Sequence, residues 1–370
     1  MAFNFPGFGG FQQPQRRPPQ PRQRQPLNPK QKKQLRTVGI VVAVLIGIFV
    51  IVPPLVSVYT GWLWFDSLAK GGVFGTILGT RLGLFLIFGA LSAVILYLCM
   101  ELAHRTKPTT PARPNPVLDS YRRMGSGKHK PVFSVIAAVL GIFFGFSAQM
   151  KWQQVSVFFN AQSFGVNDPQ FGRDLGFYAF QLPFLNILVT WLVSLVAIGV
   201  ILNIFLHYFQ GSLELRPRQG KQRGSVVLAQ KARQQIAILG GILILLVGVR
   251  YWLDRYELLS GDINFKDQTI TGAGFTSANV LMSAKLLLTV IAVFCAVAFF
   301  TSFVIRDLRI PALATAIMLI GGVAVGSILP WAVEQLSVKP NKANKEAEFI
   351  ERNIQATRFA YNLGDNNLTV

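Results

Sequence analysis

Apolar residues dominate this chain in long blocks separated by short polar stretches. Seven blocks reach or approach the roughly 20 residues needed to cross a bilayer's hydrocarbon core. They run over about Val38–Tyr59, Val73–Leu102, Pro131–Met150, Leu182–Phe209, Gln234–Leu253, Ala278–Phe303 and Ile310–Val333. Hydrocarbon supplies no hydrogen-bond partners, so each block must be a helix or part of a closed barrel. The blocks are continuously apolar without strict alternation, which selects helices. The pattern therefore predicts an all-α, polytopic transmembrane helix bundle of about seven spans. The first block is too long for a signal-peptide core and is followed by no small-x-small cleavage site, so it reads as an uncleaved span.

Two blocks carry further features. Pro53 and Pro54 fall late in the first and are expected to bend or end its helix. In the second, Gly75, Gly79 and Gly83 recur at four-residue spacing and could admit a close neighbour. Gly141 with Gly145, and Gly322 with Gly326, fit the same small-residue spacing, for which close helix packing is the expected use. The Gly321-Gly322…Gly326 cluster is also the one place where a broken midplane helix, a transporter feature, could be sought.

Composition agrees with this pattern. Only 14% of the 370 residues are charged, against about 25% in soluble domains. The net charge of +20 could suggest nucleic acid until its distribution is considered. With the N-terminus placed in the cytoplasm, the tail, residues 104–130, residues 209–233 and the turn 306–309 hold 23 of the 36 Lys and Arg, and only four of the 16 acids lie on that side, Asp119, Glu214 and Asp307 in these segments and Glu101 at the inner end of the second block. Nearly all the excess positive charge then lies on one side, as the positive-inside rule requires, and the C-terminus lies outside. The basic loops lack the interleaved aromatics of a base-stacking surface, so no nucleic-acid partner is expected. Membrane lipids, with anionic headgroups at the cytoplasmic face, are the expected partners of these loops.

Three regions follow. Residues 1–36, rich in Gly, Pro, Gln and Arg, form a disordered basic cytoplasmic tail. Residues 37–333 form the seven-helix domain, with ordered extracytoplasmic loops that include an aromatic outer cap at 151–181. Residues 334–370 begin an extracytoplasmic helical region. Its 345–363 stretch places Ala347, Ile350, Ile354, Thr357 and Tyr361 on one stripe. Such a stripe needs a surface to cover, and no closing motif follows it, so the expectation is either a longer natural polypeptide or a protein partner that supplies that surface.

Candidate chemistry is sparse. Within the cap, the candidate functional residues are Asp168, Pro169, Phe171, Gly172, Asp174, Gly176, Phe177, Tyr178, Phe180 and Pro183. Asn167-Asp168-Pro169 is a turn signal, and the two glycines permit tight bends. Asp168 and Asp174 are the best paired carboxylates, open to two readings. They could serve an envelope enzyme, or Asp168 could cap a turn while Asp174 pairs with Arg173 or a helix end, which is the reading preferred here. Arg250, Asp254 and Arg255 make a polar cluster outside the membrane, in which Arg250 and Asp254 are i,i+4 neighbours. Arg81 and Lys285 are the candidate intramembrane polar residues, with Lys285 placed to snorkel outward. Cys99 and Cys295 lie in apolar blocks and read as core residues. His104, His129 and His207 are far apart in sequence with no acid or cysteine cluster, so neither a metal site nor a cofactor is expected. Gly125-Ser126-Gly127-Lys128 lacks P-loop spacing, and the chain has no G-x-S-x-G or H-E-x-x-H motif.

The run Asp168-Pro169-Gln170-Phe171-Gly172-Arg173-Asp174-Leu175-Gly176-Phe177-Tyr178-Ala179-Phe180-Gln181-Leu182-Pro183-Phe184 resembles a signature of uncharacterised protein family 0182. Trp62-Leu63-Trp64-Phe65, Arg250-Tyr251-Trp252-Leu253 and the stretch from Glu348 to Tyr361 are similar to that family too. Its members are large polytopic membrane proteins, found mainly in actinobacteria and cyanobacteria. The resemblance implies seven N-terminal spans followed by a large extracytoplasmic region, in a bacterial plasma membrane. It supplies no activity or catalytic residue to carry over. The leading expectation is a non-enzymatic component of the cell envelope that anchors an outer domain or partner and handles envelope lipids. A transporter or channel for a lipid or envelope precursor is the second expectation, and an enzyme using Asp168 and Asp174 the third.

Overall fold

A computed structural model describes residues 29–107, 129–216, 225–260, 262–265, 268–305 and 309–363. The expected disordered tail up to residue 28, much of the basic loops at 108–128 and 217–224, the turn 306–308 and the chain's last residues lie outside these. Among the described residues, seven helices are long and apolar enough to cross a membrane, in agreement with the seven apolar blocks.

The chain divides into two compact units, one up to Gly75 and one from Thr76 onward. The first unit holds α1 (Pro29–Ser67) and the first turn of α2 (Gly71–Arg105). The helix α1 runs on through Pro53 and Pro54 for more than a further three turns, so the expected early end does not occur. In lipid the chain has nowhere else to satisfy its backbone groups, and a helix tolerates the loss of two amide donors better than an unwound segment. It ends instead at a tight turn, where Ala69 adopts a left-handed φ of 55° and Lys70 N–H donates to the Phe65 carbonyl at 2.9 Å. Aromatic rings gather there, with Phe65 and Phe74 centroids 5.7 Å apart. A Cβ at Gly61 would lie 3.2 Å from the Phe74 ring.

The second unit continues α2 and adds α3 (His129–Gln149), α4 (Trp152–Phe159), α5 (Leu182–Gln210), α6 (Gln230–Glu257) and α7 (Met282–Ile305). It closes with α8 (Arg309–Val323), α9 (Leu329–Val333) and α10 (Lys342–Ala360). The helix α6 packs along both α5 and α7, and α7 along α8. Single π-helical turns lead into α5 and α7, at Phe177–Gln181 and Ser277–Leu281. Two more, Ala324–Ile328 and Glu334–Val338, join α8, α9 and the approach to α10. The Gly321-Gly322 site is therefore not a break, because helical structure continues from α8 towards α10 through wide turns.

Glycine contacts separate the predicted stripes. Gly141 and Gly145 of α3 meet α2 directly. A Cβ at Gly141 would fall 2.7 Å from the Gly89 carbonyl oxygen, and one at Gly145 2.6 Å from that of Phe85. A Cβ at Gly75, Gly79 or Gly83 would meet nothing within 4 Å among the described residues. Gly322 and Gly326 make only ordinary contacts, at 3.6 Å with the Tyr251 hydroxyl and 3.9 Å with Leu288. Gly240 and Gly241, which no regular spacing marked out, receive the rings of Phe299 and Phe300.

Two antiparallel hairpins appear where the sequence reading had only loops. Strands β1 (Leu213–Arg216) and β2 (Ser225–Leu228) pair Leu213 with Leu228, and β3 (Asp262–Phe265) and β4 (Gln268–Thr271) pair Asp262 with Thr271. The alternation Leu213-Glu214-Leu215-Arg216 was the available signal.

The glycine contacts predict a sharp contrast. Gly141→Ala should destabilise the detergent-solubilised protein by about 1–3 kcal/mol, because α2 must move away from a new methyl group. Gly79→Ala should leave the unfolding midpoint unchanged or raise it slightly. Thermal unfolding followed by fluorescence checks both, and equal midpoints for the two variants would contradict the packing described.

Candidate functional site

The cap begins where α3 ends. Lys151 N–H donates to the Ala148 carbonyl at 3.0 Å, and α4 follows directly. Beyond Asn160 the chain folds back on itself. Asp168 N–H donates to the Arg173 carbonyl at 2.8 Å, and Leu175 N–H to that of Val166 at 2.9 Å. Gly172 takes a φ of +64°, the left-handed conformation that the sequence reading assigned to a tight bend.

Two carboxylates fasten this loop. Asp168 is 6% exposed. Its Oδ1 accepts from Gln170 N–H at 2.7 Å and Phe171 N–H at 2.8 Å. Its Oδ2 accepts from Arg173 N–H at 3.1 Å and the Tyr178 hydroxyl at 2.7 Å. Pro169 has no N–H to compete for these positions. Burial pushes the Asp168 carboxyl upward, but the donors from Phe171, Tyr178, Arg173 and Gln170 outweigh it and hold the group below its ordinary range.

Asp174 plays the same part on the other side of the fold-back. It accepts from the Ser163 hydroxyl at 2.5 Å and from the N–H groups of Phe164, Gly165 and Gly176 at 3.1, 2.9 and 2.7 Å. The Ser163 hydroxyl, joined by those backbone donors, lowers its pKa to about 2. A Cβ at Gly176 would sit 2.3 Å from the Gln162 carbonyl oxygen, so only glycine fits. Both carboxylates are thus anionic at neutral pH and committed to backbone donors. Asp174 does not pair with Arg173, whose guanidinium lies 5.5 Å over the Phe177 ring.

The aromatic residues tie the loop to the helices. Phe171, Phe177 and Tyr178 surround Tyr256 of α6 at centroid distances of 4.7, 5.3 and 6.4 Å. Phe180 stacks on Phe164 at 5.4 Å, and Phe158 on Phe184 at 4.1 Å. Pro183 occupies the first turn of α5, where its missing N–H costs nothing.

The helix α10 is docked by polar groups, mainly on the 271–275 segment beside the cap. Glu346, 3% exposed, accepts the Phe275 N–H with both oxygens, at 3.1 and 3.0 Å. Asn353 donates to the Thr271 carbonyl at 2.5 Å, and Arg352 reaches Gln170 at 3.5 Å. A cavity of about 330 Å³ lies between the 168–175 loop, Thr271–Ala273 and α10. The inward face of α10 is Glu346, Phe349, Ile350 and Asn353. On the expected apolar stripe, only Ile350 is partly covered, while Ala347, Ile354, Thr357 and Tyr361 are exposed.

The polar cluster is larger than expected and differently composed. Arg250 pairs with Asp254 at 2.8 Å, as the i,i+4 spacing implied, and reaches Glu257 at 3.4 Å and the Thr190 hydroxyl at 3.0 Å. Asn186 donates to Glu257. Lys285 does not simply snorkel outward, because it binds Asp254 at 2.8 Å across α6 and α7. Arg255 stands apart from these pairs, with its guanidinium 3.9 Å over Trp252. Arg81 lies 5.3 Å over Trp152.

At the opposite end of the helices is a network that the sequence reading missed. Gln235 donates to Asn203 at 2.5 Å and to the Cys99 carbonyl at 3.1 Å, and its own oxygen lies 3.2 Å from the ring of fully buried His207. His104 and His129, distant in sequence, stack 3.9 Å apart, and His129 lies 3.7 Å from Glu101. Polar residues inside apolar blocks, Asn203 and His207 at i,i+4 spacing and Gln235, were the missed signal.

Comparison with known proteins places these features in a wider set. The sequence model of the uncharacterised protein family (UPF0182) matches residues 38–369. The chain is 42% identical over 332 residues to a UPF0182 protein of Rhodococcus erythropolis, covering 89% of this chain and 33% of that protein. It is 44% identical over 329 residues to one of Mycolicibacterium vanbaalenii, covering 88% of this chain and 32% of that protein. A Corynebacterium jeikeium protein is 41% identical over 340 residues, covering 91% of this chain and 33% of that protein. The chain thus spans about a third of the length of the curated relatives it matches. No solved structure matches it.

Replacing Asp168 with Asn should leave one of its four donors facing another donor and loosen the loop by about 1–3 kcal/mol. Hydrogen exchange at Gln170, Phe171 and Arg173 should accelerate at least about fivefold. Unchanged exchange would show that the carboxylate does not hold the loop. Acid should act through Asp174. Because its folded pKa lies below the unfolded value, its stabilising contribution is complete above about pH 4 and fades as pH falls towards 2. Exchange at Phe164 and Gly165 in an Asp174→Asn variant should therefore lose that pH dependence.

Proposed function

The chain belongs to the uncharacterised protein family (UPF0182), and on that premise we propose that it is a non-enzymatic, multi-pass component of the bacterial plasma membrane that presents a rigid platform to an extracytoplasmic domain or partner. The cap, with residues 151–181, faces outward in this reading, and the basic loops face the cytoplasm. The separation of 23 Lys and Arg with four acids from the remaining charges supports that orientation. Handling of envelope lipids alongside anchoring belongs to the same reading.

The observation that carries the platform is the polar docking of α10. This helix turns a buried glutamate and an asparagine towards the 271–275 segment and leaves Ile354, Phe359 and Tyr361 at 47, 67 and 74% exposure. Polar bonds set its position, and the apolar surface is left for something else to cover. An enzyme built on Asp168 and Asp174 is disfavoured, since every oxygen of the pair already accepts hydrogen bonds from the cap itself.

Two measurements test this. A photo-crosslinking residue at Tyr361, in cells of an actinobacterium, should give a discrete product with one extracytoplasmic polypeptide segment. The same residue at Phe143 of α3 should give none. Diffuse or absent products at Tyr361 would remove the platform reading. For orientation, a membrane-impermeant maleimide should label Gln162→Cys in intact cells and Thr110→Cys only after permeabilisation, in a background lacking Cys99 and Cys295. The reverse pattern would invert the topology.

A further inference from the structure

A second cavity, of about 230 Å³, lies at the cap end between α2, α3, α5 and α6. Its lining joins two cations, Lys151 and Arg250, to an amide, Asn186, and to an apolar wall that includes Phe88, Phe144 and Trp191. The wall is fixed in place. Trp191 donates to the buried Ser92 hydroxyl at 3.0 Å and meets Phe88 edge-on at 4.9 Å.

Charge around the cavity does not balance. Arg250 and Lys285 are offset by Asp254 and Glu257. Lys151 and Arg81 pair with no carboxylate among the described residues, and Arg81 rests on Trp152, the residue after Lys151. Among these groups the surplus is two positive charges, one lining the cavity at Lys151 and one beyond its lining at Arg81. Arg250 also keeps unused capacity, since a guanidinium has five N–H groups and its three protein partners take one each.

Asn186 supplies the most specific feature. It is 8% exposed, and its amide nitrogen is committed to Glu257, which as a carboxylate accepts only. That contact fixes which side of the amide is oxygen, and Asn186 Oδ1 receives no hydrogen bond from the protein. A buried carbonyl oxygen beside two cations calls for a ligand that both carries negative charge and donates a hydrogen bond.

We propose that this cavity binds a phosphodiester bearing a free hydroxyl, the headgroup chemistry of an anionic glycerophospholipid. Lys151 and the free N–H groups of Arg250 hold the phosphate, with Arg81 adding charge at the rim. The headgroup hydroxyl donates to Asn186 Oδ1. The ring wall takes the apolar start of the lipid, whose chains continue over the exposed surface of α3 at Phe143 and Phe146, 69 and 50% exposed. The inference rests on the membrane-spanning reading but not on the platform role, so loss of the Tyr361 crosslink would leave it standing.

The test uses the full chain purified in mild detergent, with lipid binding read by native mass spectrometry. Phosphatidylglycerol should be retained at one copy per chain and at least about tenfold more tightly than phosphatidylcholine. Phosphatidylmethanol, which keeps the phosphodiester but lacks the hydroxyl, should bind between the two. Lys151→Gln, at an exposed position where folding is not at stake, should weaken phosphatidylglycerol about tenfold, whereas Lys107→Gln at the opposite end should not. Equal retention of phosphatidylglycerol and phosphatidylcholine, or equal binding by wild type and Lys151→Gln, would overturn the proposal. Inorganic phosphate serves as the soluble probe. If it protects the protein against thermal unfolding in a Lys151-dependent manner at millimolar concentration and displaces the lipid, the site belongs to a soluble phosphate ester and the lipid assignment fails.

Discussion

A polar group surrounded by hydrocarbon finds no partner except the protein itself, and most of this fold is arranged around that constraint. It keeps α1 helical through two prolines. It directs hydroxyls within the spans back to their own helix, as in Ser92 to the Phe88 carbonyl at 2.6 Å and Ser194 to that of Thr190 at 2.8 Å. It also explains why irregular backbone collects at the two ends of the helices, and why polar side chains gather there in connected groups. The Asn203–Gln235–His207 network and the Asp254–Lys285 pair each join different spans. Neither side chain of such a pair can be removed without leaving the other unsatisfied in a medium that offers no substitute.

At the cap the same constraint is met in one repeated way. Asp168 accepts backbone N–H groups from a turn, and Asp174 and Glu346 accept them from the first residues of helical segments. A carboxylate has about four acceptor sites, so one side chain closes a turn that would otherwise require several ordered waters. The two aspartates fold the 160–176 loop, and the glutamate attaches α10 to the chain at Phe275. The acidity of the two aspartates is a consequence of this use, since hydrogen-bond donors favour the charged form. A carboxyl group held below its ordinary pKa by such bonds is a poor proton shuttle near neutral pH, which separates the cap from acid–base catalysis.

The seven spans were legible in the sequence because their length and continuity report directly on the bilayer. The turn at Asp168 and the pairing of Arg250 with Asp254 were also legible, since both act over a few residues of one chain segment. What remained hidden depends on how helices are rotated against each other. Gly141–Gly145 and Gly79–Gly83 have the same spacing, yet among the described residues only the first pair meets another helix. Lys285 looked solitary because its partner is on α6, 31 residues earlier. His104 and His129 stack across two helices with no local sign of it. The apolar stripe of α10 was legible as a face whose cover is not among the described residues, but the opposite face that docks the helix, with Glu346 and Asn353, was not, because periodicity does not mark polar contacts between distant segments.

This division of α10 into a polar docking face and an exposed apolar face has an energetic logic. Glu346 and Asn353 form directional bonds that permit one position of α10, whereas apolar contacts alone would tolerate several. With position set by polar groups, the exposed apolar side chains remain available to drive association. Burying a side chain the size of isoleucine or phenylalanine contributes about 1.5–3 kcal/mol. Ile354 and Tyr361, which share one face and are already partly covered, therefore offer at most roughly 5 kcal/mol before ordering costs. That is too little for tight association by these side chains alone, but useful to a segment already held nearby by a second contact. The helix is thus better suited to orienting something tethered at the membrane surface than to capturing a free partner from dilute solution.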